Sequence, residues 1–228
     1  MQPGTMHDLP IYISVTFGVA VFTCLAFFIA STTHKLRTIL LLSVWMTITA
    51  ILAAKSFFLD LEAIPPRIML VVLPSFIVIG YLFISRTGRR FLDKLDLKML
   101  TLLSIIRIPV ELVLYWLFLQ KAVPELMTFA GRNFDILAGI TAPVIWLLCF
   151  KGKTVTHKRL WIGWHIISLL LLLNIVIHAI LSAPSPFQQL AFDQPNIAIF
   201  YFPYIWLPTI VVPLVFLSHL ASIRKGFK

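Results

Sequence analysis

A chain of 228 residues that is 60% hydrophobic and only 12% charged, with a mean hydropathy of +0.96, is not a soluble domain. Soluble domains carry about 45 to 50% apolar and about 25% charged residues. The net charge of +10 would suggest nucleic acid in a soluble chain, but here the placement of the basic residues accounts for it and no nucleic-acid partner is expected.

The apolar residues form continuous runs, not the short alternating segments of an outer-membrane barrel, so the expected class is an all-α integral membrane protein. Spans of about 20 residues leave room for roughly seven helices. Seven runs occur, at about 11–31, 38–57, 67–84, 99–119, 134–150, 160–181 and 197–220, in one polytopic domain over residues 1–228. Residues 1–10 hold no Lys or Arg, and the run after them is too long for a usual signal-peptide core. The first helix is therefore expected to be retained.

Basic residues follow alternate runs: Lys35 and Arg37; Arg86, Arg89, Arg90, Lys94 and Lys98; Lys151, Lys153, Lys158 and Arg159; Arg224, Lys225 and Lys228. Lys55, Arg67, Lys121 and Arg132 are their only counterparts across the membrane. This bias puts the amino terminus outside and the carboxyl terminus in the cytoplasm of a plasma (inner) membrane. Asp8, Asp60, Glu62, Glu125, Asp135 and Asp193 then give the outer mouth an acidic cast. The stretch 86–98, basic with interleaved Phe91, Leu92, Leu95 and Leu97, reads as an interfacial helix on anionic lipid.

In the fourth run Thr101, Ser104, Arg107, Glu111 and Tyr115 recur at three and four residues and so share one helix face. A charge at the bilayer centre costs roughly 2.5 to 3.5 kcal/mol even on lenient insertion scales, so this face is expected to look into protein or a wet cavity. Arg107 and Glu111, at i and i+4, can offset each other. Pro109 between them removes a backbone hydrogen bond and frees a carbonyl near the midplane. The pair has two uses: Arg107 binds an anionic group with Glu111 as counter-ion or proton carrier, or the pair locks helices together.

The outer loops 120–133 and 182–196 carry apolar residues (Leu126, Met127, Phe129; Phe187, Leu190, Phe192) that a solvated loop does not need, and are expected to fold over the outer mouth as a lid. Asn133 or Asp135 can cap the fifth helix, and Asn196 or Asp193 the seventh. Arg132, beside several acids, is expected to have an acidic partner. The sixth run adds Ser168, Asn174 and His178 on one face, and His is readily tuned across physiological pH. His165 and His219, toward basic flanks, read as structural or interfacial. The seventh run opens with Tyr201, Pro203, Tyr204, Trp206 and Pro208, followed by Pro213. Proline-broken helices serve transport sites, and Tyr and Trp equally suit an outer aromatic belt.

Short matches recur between the first and last triplets of helices: Thr33-His-Lys-Leu-Arg37 with Thr156-His-Lys-Arg-Leu160, and Leu73-Pro-Ser with Leu207-Pro-Thr. A parallel duplication of three helices joined by a fourth resembles the plan of the SWEET sugar carriers in span count, orientation and length. None of that family's local motifs occurs, and a charged pair in the linking helix departs from its plan. Cys24 and Cys149 lie inside runs and suggest no disulfide. Metal, phosphate-loop and nucleophile-elbow motifs are absent, so no cofactor and no metal is expected.

The leading expectation is a protein that binds or transports a small, anionic solute through an outward-facing cavity. Arg107 and Glu111 form its floor, Tyr115, Asn174, His178, Tyr201 and Tyr204 its walls, and Glu125, Arg132, Asp135 and Asp193 its mouth. A membrane-embedded enzyme acting on a lipid or lipid-linked substrate at the outer leaflet is the alternative, using Glu125, Asp135, Asp193 and His178. An accessory subunit is the third. Expected partners are the bilayer and a small-molecule ligand or lipid, with a homo-oligomer left open.

Overall fold

In a bilayer only the chain itself can satisfy its backbone N–H and C=O groups, so long apolar runs become helices. The computed structural model describes residues 9–152 and 154–228; Asp8 and Lys153, used in the charge assignment above, lie outside them. The described chain is all-helical except for a two-residue hairpin, β1 (Phe150–Lys151) with β2 (Thr154–Val155). The helices are α1 (Ile11–Ser31), α2 (Lys35–Ala54), α3 (Met69–Ile84), α4 (Arg86–Lys94), α5 (Leu97–Leu103), α6 (Arg107–Leu119), α7 (Ile136–Cys149), α8 (Lys158–Ser182) and α9 (Val212–Gly226). Five helical stretches are long and apolar enough to cross a membrane, counting 97–119 and 207–226 as one each. A sixth is reached if α3 and α4, bent by 92° at Ser85, form one broken span. The remaining run, the fifth, is the short α7, whose 14 residues extend about 21 Å.

Prolines account for most breaks. Pro109 cannot donate to the carbonyl of Ile105, and the turn there tightens to a 3-10 segment, Ser104–Ile106, between α5 and α6. The seventh run departs most from expectation. Its residues 197–206 are turns and a 3-10 segment (Ala198–Phe200), a π turn covers Leu207–Val211, and α9 continues to Gly226. Pro213 cannot donate to the carbonyl of Thr209; the Ser75 hydroxyl of α3 donates to it instead, at 3.3 Å.

The α5–α6 stretch is the axis of the bundle. Helix α1 packs along both parts, α7 lies against their junction, and α9 packs on α5 and along α8. Gly139 permits the close crossing of α7 on α6, since a Cβ there would meet Ile108 Cγ1 at 2.9 Å. That crossing brings the segment before α7 against Arg107. Helix α2 sits outermost and turns Leu40, Leu41 and Val44 outward.

Candidate functional site

Arg107 is buried, and its partner is not Glu111. Its Nη1 donates to Asp135 Oδ1 at 2.8 Å and to the Ser168 carbonyl at 3.1 Å, and its Nη2 donates to His219 Nε2 at 2.8 Å. The expected i, i+4 pair is therefore replaced by a pair between α6 and the residue that starts α7. A guanidinium reaches further than one turn, and Asp135 supplies a carboxylate that is almost as buried as the arginine itself.

Donor and acceptor accounting fixes the protons of the two histidines behind it. His219 Nε2 accepts from Arg107, so a neutral His219 carries its proton on Nδ1 and donates to His165 Nδ1, 2.8 Å away. His165 then carries its proton on Nε2 and donates to Thr101 Oγ1 at 3.4 Å. Thr101 Oγ1 also accepts from Trp161 Nε1 at 3.0 Å and donates to the Leu97 carbonyl at 2.8 Å. Every group along this chain has one consistent role, and it ends on an arginine that does not give up a proton. The network positions Arg107; it is not a proton wire.

Glu111 belongs to a second arm. Its Oε1 accepts from Asn133 Nδ2 at 2.6 Å, and the same amide nitrogen donates to the Met127 carbonyl at 2.9 Å. Asn133 Oδ1 accepts the backbone N–H of Asp135 at 3.0 Å, so a flipped amide would set oxygen against oxygen twice. Glu111 Oε2 and Arg107 Nε are buried with no partner among the described residues.

These charges form one edge of a cavity of about 360 Å³ between α3, α6, α8 and α9. Apart from Ser185 its other walls are apolar, with Val72 and Phe76 from α3, Leu172 and Val176 from α8, and Val211 and Val215 from the last stretch. Met127, Ala183 and Phe187 bring the loops 120–133 and 182–196 to its lining. Leu73 of α3 and Ile180 of α8 also line it, yet are 53% and 51% exposed, so the cavity reaches the molecular surface on the side between these helices.

Of the remaining residues expected at the site, the structure gathers few. The Tyr115 ring stacks on Phe129, centroids 5.0 Å apart. Asn174 donates to the Arg132 carbonyl at 2.9 Å, and His178 Nδ1 donates to the Asn174 carbonyl at 2.8 Å. Tyr204 shares a hydrogen bond with Ser14 of α1 at 3.0 Å, and none of these, nor the half-buried Tyr201, lines the cavity. Glu125, Arg132 and Asp193 are exposed, and among the described residues Arg132 pairs with no acid, because the nearest carboxylate in sequence, Asp135, is turned inward to Arg107. Asp135 does not cap α7 with its side chain, and the buried Asn196 side chain makes no hydrogen bond among the described residues. The acids and His178 that an outer-leaflet enzyme would need are thus dispersed. Among the described residues no three of His, Cys, Asp and Glu gather as a metal would require.

Sequence reasoning read His165 and His219 as structural or interfacial, because of the flanking basic residues, and did not connect them to Arg107. The usable signal was helix length. Helix α9 runs to Gly226 and α8 starts at Lys158, so both histidines lie about two turns inside. No curated protein and no solved structure matches this chain. The family described as Domain of unknown function (DUF8737) matches residues 64–225, a stretch that holds the whole charged network and all four helices around the cavity, and the chain belongs to that family.

Proposed function

We propose that the chain crosses the membrane seven times, amino end outside, and binds or carries a small amphiphilic molecule through the cavity beside Arg107 and Glu111. The distribution of basic residues supports the sidedness, with α7 as the remaining crossing. With that orientation the outer loops and the ends of α3 and α8 form the mouth. The observation that carries the reading is an apolar cavity whose lining reaches the lateral surface at Leu73 and Ile180, with buried charges on its inner edge. A hydrophilic anion is poorly served by such walls, and Arg107 already faces Asp135. A molecule with an apolar body and a polar head fits both parts. It would enter sideways from the outer leaflet.

A thermal-shift panel of lipids, detergents and small polar solutes on the purified protein tests this, run beside Val176→Phe to fill the cavity. A ligand at 100 times its dissociation constant adds about 2.7 kcal/mol of apparent stability. Amphiphiles are expected to stabilise the native chain and to lose that effect in a folded Val176→Phe protein. If the filled variant responds as the native chain does, the cavity is not the binding site.

A further inference from the structure

The buried polar groups around the cavity are not all partnered, and the gap points to a ligand class. Arg107 is answered by Asp135 at 2.8 Å. His165 and His219 are neutral by the donor and acceptor accounting above, since each accepts at one ring nitrogen and donates at the other. That leaves Glu111, 2% exposed, with Oε1 held by Asn133 and Oε2 free of any donor among the described residues. Among the described residues no second guanidinium, and no ammonium, lines the cavity. A lone buried carboxyl keeps its proton until a positive group joins it, because a buried unpaired charge is strongly disfavoured, and a cationic head supplies that group.

Resting on the cavity reading, we propose that the cavity takes a cationic amphiphile, an alkylammonium-headed molecule whose head sits on Glu111 and whose tail lies along the α3, α8 and α9 walls. Arg107 is then a positioning residue. It orders Asp135, and through the Asp135 N–H bond to Asn133 it orders the amide that presents Glu111. Asn133, with both amide hydrogens spent, has no donor left for an anionic head, and the unpartnered Arg107 Nε–H is the donor that an anionic probe tests.

The test uses three probes with one tail, namely octylammonium, octanol and octanoate, at neutral pH. They are applied to the full chain in zwitterionic lipid nanodiscs, with empty discs as the blank for partitioning. Octylammonium is expected to bind at least about tenfold tighter than either other probe, a difference of about 1.4 kcal/mol. In Glu111→Gln it is expected to fall to the level that octanol shows on the same variant. The head-group series on the unaltered chain decides even if that variant does not fold. Preference for octanoate overturns the assignment and makes Arg107 the head site, with the cavity reading intact. Equal binding of all three also overturns it and leaves a cavity blind to the head. Failure of all three to bind above the blank removes the cavity reading and this inference together.

Discussion

Arg107 is the most exacting residue in the chain, because three elements must agree before it can be buried. Breaking a buried pair by removing one partner costs about 3–5 kcal/mol, whereas replacing both by apolar groups of similar volume is often neutral. Asp135→Leu alone is therefore expected to destabilise the protein by about that amount, while Arg107→Met with Asp135→Leu recovers most of the loss in a double-mutant cycle of unfolding. A second expectation concerns protons: nitrogen-15 spectra of labelled histidine should show His219 protonated at Nδ1 and His165 at Nε2, both neutral. An imidazolium at either position would break the accounting that leaves Glu111 as the unpartnered acid. Of this site, Arg107 and Glu111 were legible in the sequence because charge is conspicuous in an apolar run. Their pairing was not. Helical spacing tells which residues share a face, but the partners of Arg107 and Glu111 come from the 133–135 segment, α8 and α9, which only packing brings in.

Among the elements, α4 is the one whose placement rests on a single small side chain. A Cβ on Gly88 would collide with the Leu82 backbone, so the 92° turn from α3 into α4 needs glycine there. Gly88→Val is expected to cost about 1–3 kcal/mol, as overpacking does, and to show as a lowered thermal midpoint. The far end of α4 holds the carboxyl terminus. Asp93 Oδ1 accepts from Arg224 Nη1 at 2.5 Å and from Lys228 Nζ at 2.8 Å, and these bonds hold its carboxyl below the usual carboxylate range. A depressed carboxyl contributes above its unfolded value and loses that contribution as pH falls through the folded one. The midpoint in acid is therefore expected to fall less steeply for Asp93→Asn than for the native chain. Because Asp93 is exposed, the effect is modest and weakens with salt. The helix at the start of 86–98 was readable from its alternation of basic and apolar residues. The late start of α9 was not: three prolines announce freed carbonyls, yet the donor to the Thr209 carbonyl is a serine on another helix.

At the scale of the molecule, everything proposed about access depends on how often the chain crosses the membrane, and α7 is the element that decides it. Its 14 residues give about 21 Å against a hydrocarbon core of about 30 Å. A short crossing is nevertheless tolerable, since bilayers thin locally and flanking basic side chains reach outward at a cost of fractions of a kcal/mol per Å. Lys151, Lys158 and Arg159 stand at its far end, where a short crossing would use them. Lys121 and Lys151, both exposed, bracket α7, and the two native cysteines are buried. With Cys24 and Cys149 replaced by Ala, single Lys121→Cys and Lys151→Cys chains in intact cells report on opposite faces if α7 crosses. Lys121→Cys is expected to react with a membrane-impermeant maleimide at once, and Lys151→Cys only after permeabilisation. Labelling of both from one side would make α7 a re-entrant segment. The two chain ends would then share a side, and the route from the outer leaflet to Glu111 would have to be redrawn.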